Sequence, residues 1–224
     1  MYQVIADEAD FIIINKSANV HFHSQDGSAG VVAQAELDLG IKLYSVHRLD
    51  TLTSGLLILA KSSAAAAEFT RQFGEHKIQK YYLALAQGKP KKKQGWVIGD
   101  MAKSRRSMHK LLRTTVNPAV TQFFSHSIAD GLRLYLLKPL SGKTHQLRVA
   151  LASIGVPILG DALYGGTASD RGYLHAYCLN FNYKNQAYQF SVSPQSGAAF
   201  DHDEIAKQLE IWQQPDSLNW PKAK

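Results

Sequence analysis

AVTQFFSHSIADGLRLYLLKPL, residues 119–140, is the stretch that decides the fold class. Two strand-like runs flank Ala129-Asp130-Gly131. An Asp-Gly pair between such runs is a strong hairpin signal, because the tight turn needs backbone at positive φ, which these residues tolerate. A hairpin sets its strands antiparallel. The stretch therefore argues for a mixed α+β fold with an antiparallel sheet, and against a doubly wound parallel one.

The same reading extends in both directions. FIIIN (11–15) and GLLILA (55–60) are short apolar runs bounded by polar residues, as in buried strands. SSAAAAEFTRQFGEH has a cap in Ser62 or Ser63, Phe69 and Phe73 on one face, and Gly74 at its end, so it predicts a helix. IQKYYLALAQG is rich in strand formers and predicts a strand over 78–86. Downstream, Leu147, Leu151 and Ile154 at helical spacing, with Gly155 as cap, predict a helix of about 145–154. YLHAYCLNFNY and QAYQFSV read as late strands joined through Asn185. Ile205, Leu209 and Trp212 form one stripe of an amphipathic helix, about 202–214, that Pro215 stops. No repeat, low-complexity linker or composition break divides the chain, so residues 1–224 are expected to form one domain.

Composition bounds the function. With 45% hydrophobic and 19% charged residues the chain can bury an ordinary core. A lone cysteine, Cys178, excludes an internal disulfide framework and a cysteine-based zinc cluster, and fits a reducing compartment. No apolar run reaches the roughly 18 residues of a membrane span, and MYQVIADEAD lacks the pattern of a secretory signal. A cytoplasmic protein with no membrane partner is expected. The net charge is +7, and it is concentrated: Lys89, Lys91, Lys92, Lys93, Lys103, Arg105, Arg106, Lys110 and Arg113 face a single acid, Asp100, within residues 89–113. KPKKKQG alone fits a solvated loop as well as a ligand site. With KSRRSMHKLLR beside it, a phosphate backbone becomes the better partner.

Several constellations fall short of chemistry. SGKT (141–144) lacks the glycine a P-loop needs five positions before Gly142, where Leu137 stands. His47, Asp50 and Ser54 have the residue types of a hydrolase triad but crowd into eight residues, without a nucleophile elbow. His21 and His23, read as sharing one side of a strand, and His175 with Cys178 are each half a metal site without completing ligands. No metal and no cofactor are expected. Asp50, just ahead of a buried strand, is left with the arginine of HQLR, and spacing alone favours a structural ion pair. The residues by themselves thus lead to a basic RNA- or DNA-binding protein with one conspicuous aspartate.

HRLDTLTSGLLILAKS (47–62) resembles the H-R-L-D-x-x-T-S-G motif of the RluA-type pseudouridine synthases. GKTHQLRVALASIGVPILGDALYG is similar to the family's G-R-T-H-Q-I/L-R-V-H signature with its P-I-x-G-D-x-x-Y tail, QKYYLALAQG to its K-x-Y-x-A segment, and LHAYCLNF to its late L-H-A strand. The motifs occur in family order over about residues 11–192. RsuA-type relatives carry glycine where His47 stands, which favours the RluA branch. The resemblance implies a largely antiparallel sheet flanked by helices, with an RNA cleft across its face. It also implies cofactor-free isomerisation of uridine to pseudouridine in structured RNA, ribosomal or transfer. Asp50 would be the catalytic carboxylate, as nucleophile or general base. Arg148 would pair with it, and Tyr82 would stack on the uracil. Leu147 would wall the pocket, Arg48 would fill the gap left by a flipped base, and Thr53, Ser54 and Gly55 would shape the turn presenting Asp50. Lys91, Lys92, Lys93, Arg105 and Arg106 are expected, from charge, to grip RNA.

The departures from the pattern are Ser17 for proline, Asn19 for glycine, Lys143 for arginine and Ala150 for histidine, and they bear on substrate choice. The chain begins almost at the first motif, so no small N-terminal S4-like domain is expected, and a monomer is. The competing readings are a non-catalytic RNA-binding protein on the same scaffold and a metal-dependent phosphatase or nuclease.

Overall fold

The computed structural model describes residues 1–25 and 27–222. Its elements in chain order begin β1 (Tyr2–Asp7), β2 (Phe11–Lys16), α1 (Val31–Leu39), β3 (Tyr44–Ser45), β4 (Ser54–Ala60) and α2 (Ser63–Gly74). They continue with β5 (Gln79–Gln87), β6 (Gln94–Gly99), β7 (Met101–Lys103), β8 (His109–Leu111), β9 (Ala119–Ala129), β10 (Leu132–Pro139) and α3 (Gln146–Ser153). The last are β11 (Leu174–Tyr183), β12 (Gln186–Ser191) and α4 (Asp203–Ile211). The fold is α+β. The chain divides into two compact units, the first from Met1–Gln79 and His175–Pro194, the second from Lys80–Leu174 and the segment from Gln195 onward.

In the first unit the strand order is β1-β2-β4-β11, with β12 on β11 and β3 on β4. All pairs are antiparallel except β4 with β11. Every residue of β2 and β4 is buried, which is why FIIIN and GLLILA read as continuous apolar runs rather than alternating ones. α2 starts where Ser62 Oγ accepts the Ala65 N–H at 3.1 Å, satisfying one of the helix's unbonded donors. It buries Ala65, Phe69 and Gln72. Phe69 meets Phe11 and Phe181 edge-on and stacks on Tyr183 at 4.9 Å. Such a fully buried ring contributes about 3–5 kcal/mol against alanine. β11 turns into β12 through Lys184 and Asn185, both at positive φ, the geometry a two-residue hairpin requires.

In the second unit the sheet runs β5-β10-β9-β6, antiparallel throughout. The β9–β10 hairpin turns at Asp130-Gly131 as predicted, with Gly131 at φ 73°. Segment 89–113, for which the sequence reading names no element, supplies β6 and the separate β7–β8 hairpin. α3 lies within the predicted 145–154 and is followed by Gly155 at φ 80°. The C-terminal helix is shorter than the predicted 202–214. α4 ends at Ile211, and a 3-10 turn follows at Pro215–Ser217, because the residue before a proline is pushed out of helical conformation. Gln208 joins Ile205 and Trp212 on its buried side, and Leu209 is half-buried. Residues 21–23 form a loop with a bend at Phe22 and His23 rather than a strand, with Phe22 buried and both histidines exposed.

Candidate active site

In the first unit the Asp50 turn is held from three directions. Leu49 is buried at its root, and the Asp50 carbonyl accepts the Thr53 N–H at 3.0 Å. Below it lies Lys16, fully buried, whose ammonium donates to the carbonyls of Ser17, Val20 and Thr51 at 2.9, 2.9 and 3.3 Å. A charge taken out of water needs such a cage, and here the cage ties the loop that carries Ser17 and Val20 to the residue after Asp50. On the far side Ser54 Oγ lies 2.8 Å from His175 Nδ1, and His175 Nε2 lies 2.7 Å from the Val192 carbonyl. A carbonyl only accepts, so Nε2 carries a proton, and in the neutral ring Nδ1 then accepts from the Ser54 hydroxyl.

Gly55 completes the turn. Its φ is 108°, and a Cβ there would sit 2.3 Å from the Ala176 carbonyl oxygen, so the parallel β4–β11 contact requires glycine. His47 Nε2 accepts the Ile58 N–H at 2.9 Å, and its ring lies against Phe73 at 4.6 Å. His47 therefore buttresses β4. Arg48 is exposed, its guanidinium 6.0 Å from the Phe22 ring centre. Thr51 Oγ1 lies 3.2 Å from His21 Nδ1. The structure thus brings Arg48, Asp50 and buried Thr53 together in one turn.

In the second unit Tyr82 lies half-buried on β5, opposite Leu137 of β10. The strand's period of two puts it on the face away from Tyr81, which packs on Trp220. Lys80 shares the face of Tyr82, and burial pushes its ammonium below the ordinary lysine value. Leu147 and Arg148 are adjacent and buried on α3. The start of α3 is pinned by Gln146. Its oxygen accepts from Ser141 Oγ and the Lys143 N–H, and its amide donates to the Val120 carbonyl and Thr121 Oγ1. Arg148 Nε and Nη2 each donate to Asp161 at 2.7 Å, and the two side chains are 7% and 1% exposed. The Arg148 guanidinium also lies 4.9 Å from the Tyr164 ring centre.

Asp161, Tyr164 and Gln146 were not singled out from the sequence, although all three lie in the second signature quoted there. Lys91–Lys93 run into β6, whereas Arg105 and Arg106 occupy the turn of the β7–β8 hairpin. All nine basic residues of 89–113 are exposed, and none forms an ion pair with a described carboxylate. No three His, Cys, Asp or Glu side chains among the described residues converge as metal ligands. His175 is bonded at both ring nitrogens, and Cys178 donates to Asn180 Oδ1 at 3.2 Å.

An aspartate on a caged turn and an arginine gripped by a buried carboxylate sit within the motifs that suggested pseudouridine synthesis. The family model for RNA pseudouridylate synthases matches residues 10–153. The chain belongs to that family, in its RluA-type branch, and is an RNA pseudouridine synthase. A Haemophilus influenzae protein described as an uncharacterized RNA pseudouridine synthase is 48% identical over 213 residues, covering 94% of this chain and 95% of its own. The dual-specificity RNA pseudouridine synthase RluA of Escherichia coli is 36% identical over 165 residues, 70% of this chain and 74% of that one. In fold, the chain is similar to human RNA pseudouridylate synthase domain containing 1, with a TM-score of 0.78 at 24% identity over 99% of this chain and 97% of the other.

Proposed function

We propose that this synthase acts on a uridine in structured ribosomal or transfer RNA, with Asp50 as its essential carboxylate and the target base flipped out of its stack. In the reaction the bond from C1′ to N1 breaks, the uracil turns, and C5 bonds to C1′. The hydrogen on C5 leaves to solvent and N1 gains one, so atoms balance without a second substrate. The observation that carries the reading is the Asp50 turn. Lys16 and the Ser54–His175 pair hold its backbone, and Asp50 itself is half-buried. A reacting group must be held within fractions of an ångström of its target, and buried clamps of this kind supply that.

The other roles are those that the resemblance of the motifs implies. Arg48, exposed two residues before Asp50, enters the stack where the base has left. Tyr82 supplies an aromatic face for the uracil, Leu147 an apolar wall, and Arg148 a fixed positive charge in the same reaction. The exposed residues Lys91, Lys92, Lys93, Arg105 and Arg106 contact phosphates. Tritium release from RNA transcripts labelled at uridine C5 tests the reading, with Asp50→Asn as control. Release from one class of transcript names the substrate, and Asp50→Asn abolishes release while keeping RNA affinity. Collapse of binding in Asp50→Asn would make the aspartate structural and overturn the assignment.

A further inference from the structure

Three elements of the second unit meet at one phenol. Tyr164 ends the 3-10 turn Ala162–Tyr164, three residues after Asp161. Its hydroxyl accepts the backbone N–H of His109 on β8 at 2.8 Å and lies 2.9 Å from Nδ1 of His145, the residue that opens α3. The phenol oxygen has one hydrogen to give and two acceptor positions, so it can bond the His109 N–H and His145 Nδ1 at the same time. The ring of the same tyrosine lies against the Arg148 guanidinium at 4.9 Å, while Asp161 holds that guanidinium through two bonds. The His109 and His145 rings meet edge-on at 5.4 Å.

His109 belongs to the basic hairpin. It stands opposite Lys103, and the turn between them exposes Arg105 and Arg106, with Arg106 and Ser107 both at positive φ. The hairpin's main chain, the residue capping the arginine helix and the arginine's guanidinium are thus fastened to one side chain.

We propose that Tyr164 is a positioning residue that couples RNA contact at the β7–β8 hairpin to the placement of Arg148. This rests on the reading of the hairpin as an RNA-binding arm. The hydroxyl holds the arm and the ring carries the guanidinium, so RNA gripped by Lys103, Arg105 and Arg106 biases the arginine's position through a chain of direct contacts. The two parts of the side chain are separable. Tyr164→Phe keeps the ring against Arg148 and releases the hairpin, whereas Tyr164→Leu removes both.

Two measurements test this. Trypsin cleaves at Arg105 and Arg106 only when the hairpin opens, so Tyr164→Phe is cleaved there about tenfold faster than the parent, as expected for the loss of one to two hydrogen bonds. The second is a double-mutant cycle on kcat for tritium release between Tyr164→Phe and the combined Lys103→Ala, Arg105→Ala, Arg106→Ala variant. Coupling predicts that neutralising the hairpin lowers kcat in the parent and lowers it by a smaller factor once Tyr164 is phenylalanine. An unchanged cleavage rate in Tyr164→Phe, or kcat effects that multiply independently, would overturn the coupling. If neutralisation leaves RNA affinity itself untouched, the hairpin is no RNA arm, and the coupling falls with that reading rather than by its own test.

Discussion

Replacing Asp161 by alanine should destabilise the second unit far more than removing an ordinary ion pair. The Arg148 and Asp161 side chains are almost wholly buried, so water neither screens the pair nor replaces the lost carboxylate. Two donors of a buried guanidinium, Nε and Nη2, lose their acceptors together. Breaking one side of such a pair costs about 3–5 kcal/mol, because the remaining charge stays buried. Urea unfolding followed by tryptophan fluorescence reads this directly, since Trp96, Trp212 and Trp220 all lie in the second unit. At a slope of about 2 kcal/mol per molar urea, the midpoint falls by roughly 2 M. Asp161→Asn keeps one acceptor and shifts it less. The paired replacement Arg148→Met with Asp161→Leu unfolds later than Asp161→Ala, because it leaves no buried charge. A loss below about 1 kcal/mol, typical of surface pairs, would refute the reasoning.

Gly55→Ala forces a Cβ to 2.3 Å from a main-chain oxygen at positive φ, and its cost of roughly 3–5 kcal/mol should appear as a sharply lowered Tm; an unchanged Tm would show that β4 and β11 can separate cheaply. Asp100 accepts the amides of Val116 and Asn117 at 3.0 and 2.7 Å, and bonds from the Thr114 side chain and these amides hold its pKa below 3.8. The stabilisation is therefore complete above the ordinary aspartate range and is lost as pH falls through the lower folded value. The two amide shifts should titrate with a midpoint under 3.8, and a midpoint at or above it contradicts the clasp. Neutralising Lys91, Lys92 and Lys93 should flatten the dependence of log Kd on log salt by about 2 for single-stranded contacts. An unaltered slope would remove these lysines from the RNA interface.

What was legible in the sequence is what local chemistry fixes. FIIIN and GLLILA read as strands because both their faces are buried and nothing polar interrupts them. The Asp-Gly turn and the Ser62 cap read correctly because each is decided within a few residues. β7 and β8 escaped because each is three residues long and carries an exposed lysine, Lys103 or Lys110, and β6 because Gly95 and Gly99 interrupt a short run whose apolar part is only Trp96–Ile98. His21 and His23 misled as a strand because their spacing matched and their surroundings, a bend anchored by buried Phe22, were not visible. Asp50, Arg148 and Tyr82 are proposed as site residues through ordered motifs rather than through spacing. Asp161, Tyr164 and Lys16 were passed over because a buried clamp is defined by its partners, and those partners are remote in the chain or hidden among small and apolar residues.

The Ser54–His175 bond joins residues 121 positions apart, and the parallel partner of β4 is drawn from that same late stretch. A ribosome therefore finishes the whole central portion of the chain before the first unit can close its sheet. Until residues 175–194 emerge, the strand Ser54–Ala60, buried along its whole length in the folded protein, waits with its β11-facing edge unmade. Non-local pairing of this kind slows folding and exposes sticky edges. The order of synthesis thus makes the Asp50 turn one of the last parts of the protein to set, and truncated or stalled chains should aggregate rather than misprocess RNA.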